Sequence, residues 1–338
     1  MPMPAMTRRR LVALVGATAL TAVTTGCNAE GSGPAAEYPT GTIQIMAPAA
    51  AGGGWDLTAR SIQQGLTEGG LVEETVEVYN VEGAAGTLGL SQLVTKNSGD
   101  AHQLMVTGLV MIGGVVTNAS DVTLEMVTPI ATLTAEQEVV VVPADSEYET
   151  LEDLMAAAVS DPESVTWGGG SAGGTDQILV GMLAQAAGAD PQAMKYIPYS
   201  GGGESKAALL SGDLTAAVSG VSEYKDLVAA GDVRVLATSG AEGVDAGEGK
   251  PSPTIMEAGF DVELMNWRGI VAPPGLSDAD RDAVIALIDE LHASDEWQRI
   301  LEQQGWDDFY KSGDDAAAYF ASENERITEV LREIGLAA

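Results

Sequence analysis

The stretch Pro48-Ala-Ala-Ala-Gly-Gly-Gly-Trp-Asp-Leu-Thr-Ala-Arg60 follows the apolar run Thr42-Ile-Gln-Ile-Met46 and runs into a helix-forming segment. Strand, glycine-rich turn and helix in that order form the repeating unit of an α/β sheet, and turns at the carboxyl ends of the strands are where ligands sit. Bare backbone there lets a ligand approach closely. The N–H groups of a helix start have no intrahelical acceptor and attract negative charge. The stretch therefore reads as a small-anion cradle, against the plainer reading that its glycines only make a tight turn.

Three further clusters share this setting: Gly83-Ala-Ala-Gly-Thr87, Gly168-Gly-Gly-Ser-Ala-Gly-Gly-Thr175, and Tyr199-Ser-Gly-Gly-Gly-Glu204. None carries the Lys-Ser/Thr ending of a nucleotide P-loop, and Gly52-Gly-Gly-Trp-Asp56 is not spaced as G-x-G-x-x-G. A small carboxylate fits them better than a phosphate or a dinucleotide. Charge-assisted hydrogen bonds contribute about 1.5–3 kcal/mol each. Several of them, from backbone alone, reach the about 8 kcal/mol of a micromolar site without an arginine.

Working outward, strand and helix signals alternate. Strands are expected at Ile43–Ala47, Thr75–Tyr79, Gln103–Thr107, Ile130–Leu133, Val139–Val142, Val165–Trp167, Lys195–Ile197, Leu214–Val218, Val233–Thr238 and Asn266–Val271, with helices between them. That pattern implies an α/β chain with mostly parallel sheets. The C-terminal third reads as wholly helical, with capping boxes at Ser277–Asp280 and Ser312–Asp315. Val284, Ile288 and Leu291 form one apolar face, and Phe320, Ile327, Leu331 and Ile334 another; both read as core.

The chain has 338 residues, 45% of them hydrophobic, enough for a large core or two ordinary ones. With 16 Lys+Arg against 49 Asp+Glu, a net charge of −33 argues against nucleic acid as a partner. At the N-terminus, Arg8-Arg-Arg10 precedes the apolar run Leu11–Val23 and then Thr24-Thr-Gly-Cys27, which reads as an export signal. Cys27, the one cysteine, stands where a bacterial lipoprotein signal places its acylated residue. Thr7–Val12 also resembles a twin-arginine signal. Asn28–Glu37 is built of Gly, Pro, Ala and polar residues and reads as a tether.

Gly169-Gly-Ser-Ala-Gly173 matches the G-x-S-x-G nucleophile elbow, so a serine hydrolase is an alternative. Its triad needs a histidine downstream of Ser171. His102 precedes it, and His292 reads as a helix-end residue that favours the dipole. Two isolated histidines and one cysteine give no metal-ligand cluster, and neither a metal nor a cofactor is expected.

The order of the motifs resembles the extracytoplasmic solute-binding proteins of tripartite tricarboxylate transporters, the Bug receptors. The resemblance covers about Tyr38 to Gly335. It is carried by Tyr38-Pro39, Pro48–Asp56 with Ala59-Arg60, Asn80 with Gly83–Gly86, Ile197-Pro-Tyr199, Leu209-Leu210 with Gly212, Pro253-Thr254, Glu257-Ala-Gly259, Trp267, Gly269, Ala272-Pro273 and Gly275. Val81-Glu82 depart from the basic residue and proline common there.

The resemblance implies a two-lobed periplasmic-binding-protein-like (type II) fold whose lobes close on a ligand by hinge motion. The organisation expected is a signal peptide at 1–26, a lipid-anchored tether at 27–37, lobe 1 at 38–141 and 267–338, and lobe 2 at 142–266. Val139–Pro143 and Asn266–Pro274 would cross between the lobes. It further implies a receptor on the extracytoplasmic face of the cell membrane, passing a small organic carboxylate to one large and one small integral membrane subunit. A ligand-sensing lipoprotein feeding a signalling partner is a further alternative. The expected ligand-binding residues are Ala50, Ala51, Gly52, Gly53, Gly54, Trp55 and Asp56; Gly83, Ala84, Gly86 and Thr87; Gly169, Gly170, Ser171, Gly174 and Thr175; and Tyr199 and Gly201. Asp56 could instead N-cap its helix, Ser171 and Thr175 could make local turn bonds, and Trp55 and Trp167 could pack rather than wall the cleft.

Overall fold

The computed structural model describes residues 38–199 and 202–337. Cys27, the signal and tether, and Gly201 lie outside the described residues. In chain order the elements are β1 (Ile43–Ala47), α1 (Gly54–Glu68), β2 (Val76–Asn80), α2 (Thr87–Lys96), β3 (Gln103–Gly108), α3 (Leu109–Thr117), β4 (Thr128–Ala135) and β5 (Glu138–Pro143). Then come α4 (Leu151–Ser160), β6 (Thr166–Gly169), α5 (Thr175–Ala186), β7 (Lys195–Pro198), α6 (Gly202–Ser211), β8 (Ala216–Gly220), α7 (Val221–Ala230) and β9 (Val233–Thr238). The chain closes with β10 (Arg268–Ala272), α8 (Asp278–Ala293), α9 (Asp295–Gln304), β11 (Asp307–Ser312) and α10 (Gly313–Glu333).

These form two sheets, β11-β4-β10-β3-β1-β2 and β7-β6-β8-β5-β9. Both are mixed rather than mostly parallel. β1 runs parallel to β2 and β3, and β6 to β7 and β8, as strand-helix-strand units require. β10 is antiparallel to β3 and β4, and β5 to β8 and β9. The cause is the excursion of the chain: it leaves the first sheet after β4 and returns through β10, which must run the opposite way.

The crossing is a two-stranded ribbon just ahead of the expected one. Glu136 and Asn266 exchange both backbone hydrogen bonds, at 3.2 and 2.9 Å, and Gln137 bridges Met265. β5 lies wholly within the second sheet. Its side chains alternate as a strand dictates: Val140 and Val142 join the large core shared with the first sheet, and Val139 and Val141 join a smaller core with Leu209 and Tyr224 on the other face.

The C-terminal third is not wholly helical. Asp307–Ser312 forms β11, an edge strand antiparallel to β4. Its acidic start obscured it in the sequence, and it is placed by pairing with an available edge rather than by its own propensity. Ser277 caps α8 through a bond from the Asp280 N–H at 3.1 Å, whereas Ser312 makes no side-chain cap to α10. Both apolar stripes are buried as expected.

α10 begins on the first lobe, where the Trp267 indole donates to Glu323 at 3.1 Å. Its end reaches the second lobe: Ile334 packs against Gly181 of α5, and Gln185 donates to Glu333 at 3.0 Å.

Candidate functional site: loops of both lobes on one helix

In the first lobe the loop 48–54 turns back on itself. Gly53 is the N-cap of α1 in an extended conformation, and the positive φ of 85° belongs to Gly52. Asp56 is therefore three residues inside the helix rather than its N-cap. Its side chain reaches back to accept from the Gly52 N–H at 2.8 Å and from Asn80 Nδ2 at 2.9 Å, and it pairs with Arg60 at 3.0 Å. Burial opposes its charge, but Arg60, the Gly52 amide and Asn80 together hold its carboxyl below the usual carboxylate range. Asp56 is a buried strut for the loop, with its oxygens engaged by protein.

Trp55 is buried, and its ring fills the space that a side chain on Gly86 would need. The loop at 83–87 is thereby locked to the first. Gly83 and Gly86 have positive φ, and so have Ala84 and Ala85 at 49° and 50°, a conformation that strains alanine.

The second lobe repeats the device. Asp176, in the first turn of α5, reaches back to the Gly170 N–H at 2.5 Å, and the Tyr196 hydroxyl donates to the Gly170 carbonyl at 2.9 Å. Gly173 N–H goes to Gln177 and Gly174 N–H to the Ser171 carbonyl. Many loop amides in both lobes are thus committed within the protein. Donors with no intrahelical acceptor remain in the first turns: Gly54 to Asp56 in α1, and Thr175 in α5, where the Asp176 amide is engaged by its own carboxylate. The Thr175 hydroxyl is buried with no hydrogen-bond partner among the described residues. Tyr199 donates its amide to the Gly169 carbonyl at 2.9 Å, which seats its loop beside this one. Trp167 is fully buried and belongs to the core.

Beneath the second loop lie two acids that sequence reasoning missed. Glu138, at the start of β5, is fully buried; its Oε1 accepts from Asn266 at 3.0 Å, and its Oε2 has no donor. Burial first, then the charges of Asp176 and Glu136, push its carboxyl well above the usual range. Burial also raises Asp176, from 3.8 to about 6, although the Gly170 amide opposes the shift. A protonated Glu138 can donate to Asp176, an interaction that raises the one carboxyl and lowers the other.

Because the folded Asp176 value lies above the unfolded one, the folded state binds the extra proton. Its stabilising contribution is full below about pH 4 and is lost as pH rises through about 6. Asp176→Asn is expected to flatten the melting temperature between pH 7 and 5, where the wild type rises on acidification. Equal pH profiles for the two proteins would disprove a shared proton.

The loops of the two lobes meet on α3. A side chain on Gly113 would lie 1.9 Å from the Gly173 carbonyl, and one on Gly114 would lie 2.6 Å from the Ala85 carbonyl. The adjacent glycines of α3 are therefore the seat of both loops. Their only sequence signal is a glycine pair inside an apolar helix, where each glycine weakens the helix and calls for a packing reason.

A further missed residue is Arg268, which opens β10 with its guanidinium against Gly54. An arginine in an otherwise apolar strand was the available signal. A surface depression lined by Gln44, Arg60, Tyr79 and Gln103 among others contains no second-lobe residue and is separate from this convergence.

Ser171 is half-buried, and neither histidine bonds it among the described residues. His102 is engaged by Thr40 and Asp100, and His292 by Asp308 while stacked on Tyr310 at 3.7 Å. The side-chain arrangement is not that of a triad.

Two α/β lobes joined by a short ribbon, with helix starts from each facing one seat, define a periplasmic-binding-protein fold, the class that closes on a small solute. Residues 58–336 match the family described as the tripartite tricarboxylate transporter family receptor, and the chain belongs to that family. It is similar to Protein BugT of Bordetella pertussis, 25% identical over 98% of this chain and 99% of the relative. A UPF0065 protein encoded in the tcbD-tcbE intergenic region of a Pseudomonas species is 27% identical over 89% and 88% of the two chains. Among solved structures, MatC of Rhodopseudomonas palustris with bound malate superposes with a TM-score of 0.73 at 20% identity, covering 87% of this chain and 100% of that one. Rpa4515 of R. palustris with adipate gives 0.74 at 22% identity over 89% and 99%. The family consists of solute-binding receptors rather than enzymes.

Proposed function

We propose that this chain is the extracytoplasmic receptor of a tripartite tricarboxylate transporter. It captures a small di- or tricarboxylate between its lobes and delivers it to one large and one small membrane subunit. The observation that carries the reading is the convergence on α3 of loops from both lobes, with the first turns of α1 and α5 presenting unpaired N–H groups and the unpartnered Thr175 hydroxyl beside them. Malate in MatC and adipate in Rpa4515 make the same ligand class reasonable for a chain of this fold.

The contact residues proposed are those of the two loop sets, from Ala50 to Trp55 and Gly83 to Thr87 in one lobe, and Gly169 to Thr175 with Tyr199 and Gly201 in the other. The lobes are proposed to divide at the Glu136–Asn266 ribbon, so that residues 137–141, expected with the first lobe (38–141 and 267–338), go with the second (142–266). Cys27 is proposed as the lipid anchor, which would hold the receptor at the membrane through the 27–37 tether.

A thermal-shift and calorimetric screen of malate, succinate, adipate and citrate against the chain from Asn28 onward tests the ligand class. At least one of them is expected to raise the melting temperature and bind at micromolar concentration. If none does while unrelated solutes do, the carboxylate reading is wrong. Membrane fractionation of Cys27→Ser tests the anchor separately, since undiminished membrane association would remove it.

A further inference from the structure

Among the described residues Arg268 is the one buried cation, with its side chain 10% exposed. Its guanidinium lies across the start of α1: a Cβ on Gly54 would stand 2.8 Å from Nη2 and 3.1 Å from Cζ. Glycine at 54 is thus what admits the arginine. The placement sets positive against positive, because the first turn of a 15-residue helix carries a partial positive charge of its own.

One carboxylate stands nearby. Glu136 Oε2 is 3.4 Å from Nη2, while its Oε1 accepts from the Ser222 N–H at 2.8 Å. A guanidinium has five N–H donors in a planar fork, and the pair with Glu136 uses one nitrogen. Trp306 covers one face of the group, at 5.6 Å. Thr134, the partner of Arg268 across the β4–β10 ladder, has a buried hydroxyl with no hydrogen-bond partner among the described residues. The site therefore holds an excess of donors around a single, shared carboxylate. What completes it is a second planar anion with two oxygens, the geometry that an arginine fork matches.

We propose that Arg268 is the specificity residue of the ligand site, with one carboxylate of the bound acid lying alongside the guanidinium edge left free by Glu136 and the adjoining first-turn N–H groups of α1. The inference rests on the reading of the chain as a carboxylate receptor. It departs from a site made of backbone alone, since it gives the ligand's charge a buried counter-charge.

The test is calorimetry on the full chain in detergent, with malate, succinate, adipate and citrate and the monoamide of whichever acid binds. Arg268→Gln is expected to lose affinity about thirtyfold or more, and Arg268→Lys to recover part of it by restoring charge without the fork. Wild type should prefer the dianion over its monoamide at least about tenfold, and Arg268→Gln should lose that preference. A merely structural role would leave the preference intact, and equal affinity or an unchanged preference in Arg268→Gln overturns the assignment. If Arg268→Gln does not fold, Gly54→Ala gives the reading. It keeps the arginine but puts a methyl where the guanidinium lies, so a lost preference for the dianion over its monoamide supports the proposal and a retained preference overturns it. If none of the four acids binds wild type, the receptor reading fails and this inference with it, whereas binding by wild type and Arg268→Gln alike removes the inference alone.

Discussion

With alanine at position 113, the protein is expected to bind its ligand about tenfold more weakly, or worse, while melting within a few degrees of wild type. The added Cβ would lie 1.9 Å from the Gly173 carbonyl oxygen and 3.0 Å from its carbon, both backbone atoms of the opposite lobe. Nothing there can rotate away, so the lobes must separate. Overpacking of this kind costs about 1–3 kcal/mol, and here the cost falls on the closed arrangement alone. Within α3 itself, alanine is better than glycine by about 0.5–1 kcal/mol, so the first lobe gains local stability as closure is lost. Each 1.4 kcal/mol taken from the closed state weakens binding about tenfold. Titration with the acid that binds wild type, beside a melting curve, separates the effects. Unchanged affinity would show that the contact between α3 and the second loop is absent from the bound state.

Replacing Asp56 by alanine should act the other way, on folding first. Asp56 is 3% exposed and holds Gly52 N–H, Asn80 and Arg60 at once. Removing it orphans an amide and a carboxamide and frees an arginine that can still reach water. About 2–4 kcal/mol is expected for these partly charged bonds, a fall in melting temperature of roughly 5–10 °C for a chain of this size. The carboxyl is held below its ordinary 3.8, so its contribution is present above that pH and is lost as pH falls below it. The wild type should therefore lose stability faster than Asp56→Ala on strong acidification. A variant that melts like wild type at neutral pH would mean that the loop is held by its glycine turn alone.

The architecture was legible because its signals are local. Ten strands announced themselves as short apolar or alternating runs, and each of those runs overlaps a strand of the two sheets. β11 was not, because Asp307 to Ser312 is half charged and becomes a strand only by pairing with β4. The loops of the site were legible as glycine clusters, but the tasks of particular residues were not. Asp56 looks like a cap in sequence because its reach back to Gly52 depends on the turn, which a string of letters does not display. Arg268 and Gly54 are distant in the chain, and so are Glu138 and Asp176. Their meaning comes from the crossing ribbon, which folds the ends of both sheets together. Gly113 and Gly114 carry the same lesson: their reason lies in what touches them.

The reach of α10 from one lobe to the other has a mechanical consequence. A body held at a single short ribbon can twist, tilt and rock. Here, away from the loops that meet on α3 and the shared core beneath them, the second lobe is also tied at two separated points, the Glu136–Asn266 ribbon and the contact of Ile334 and Glu333 with α5. Two separated points of attachment define a line, and a rigid body held at both retains one freedom, rotation about that line. Closure about that line would carry the lobes as a door on two pins and bring the loops back to α3 in one register.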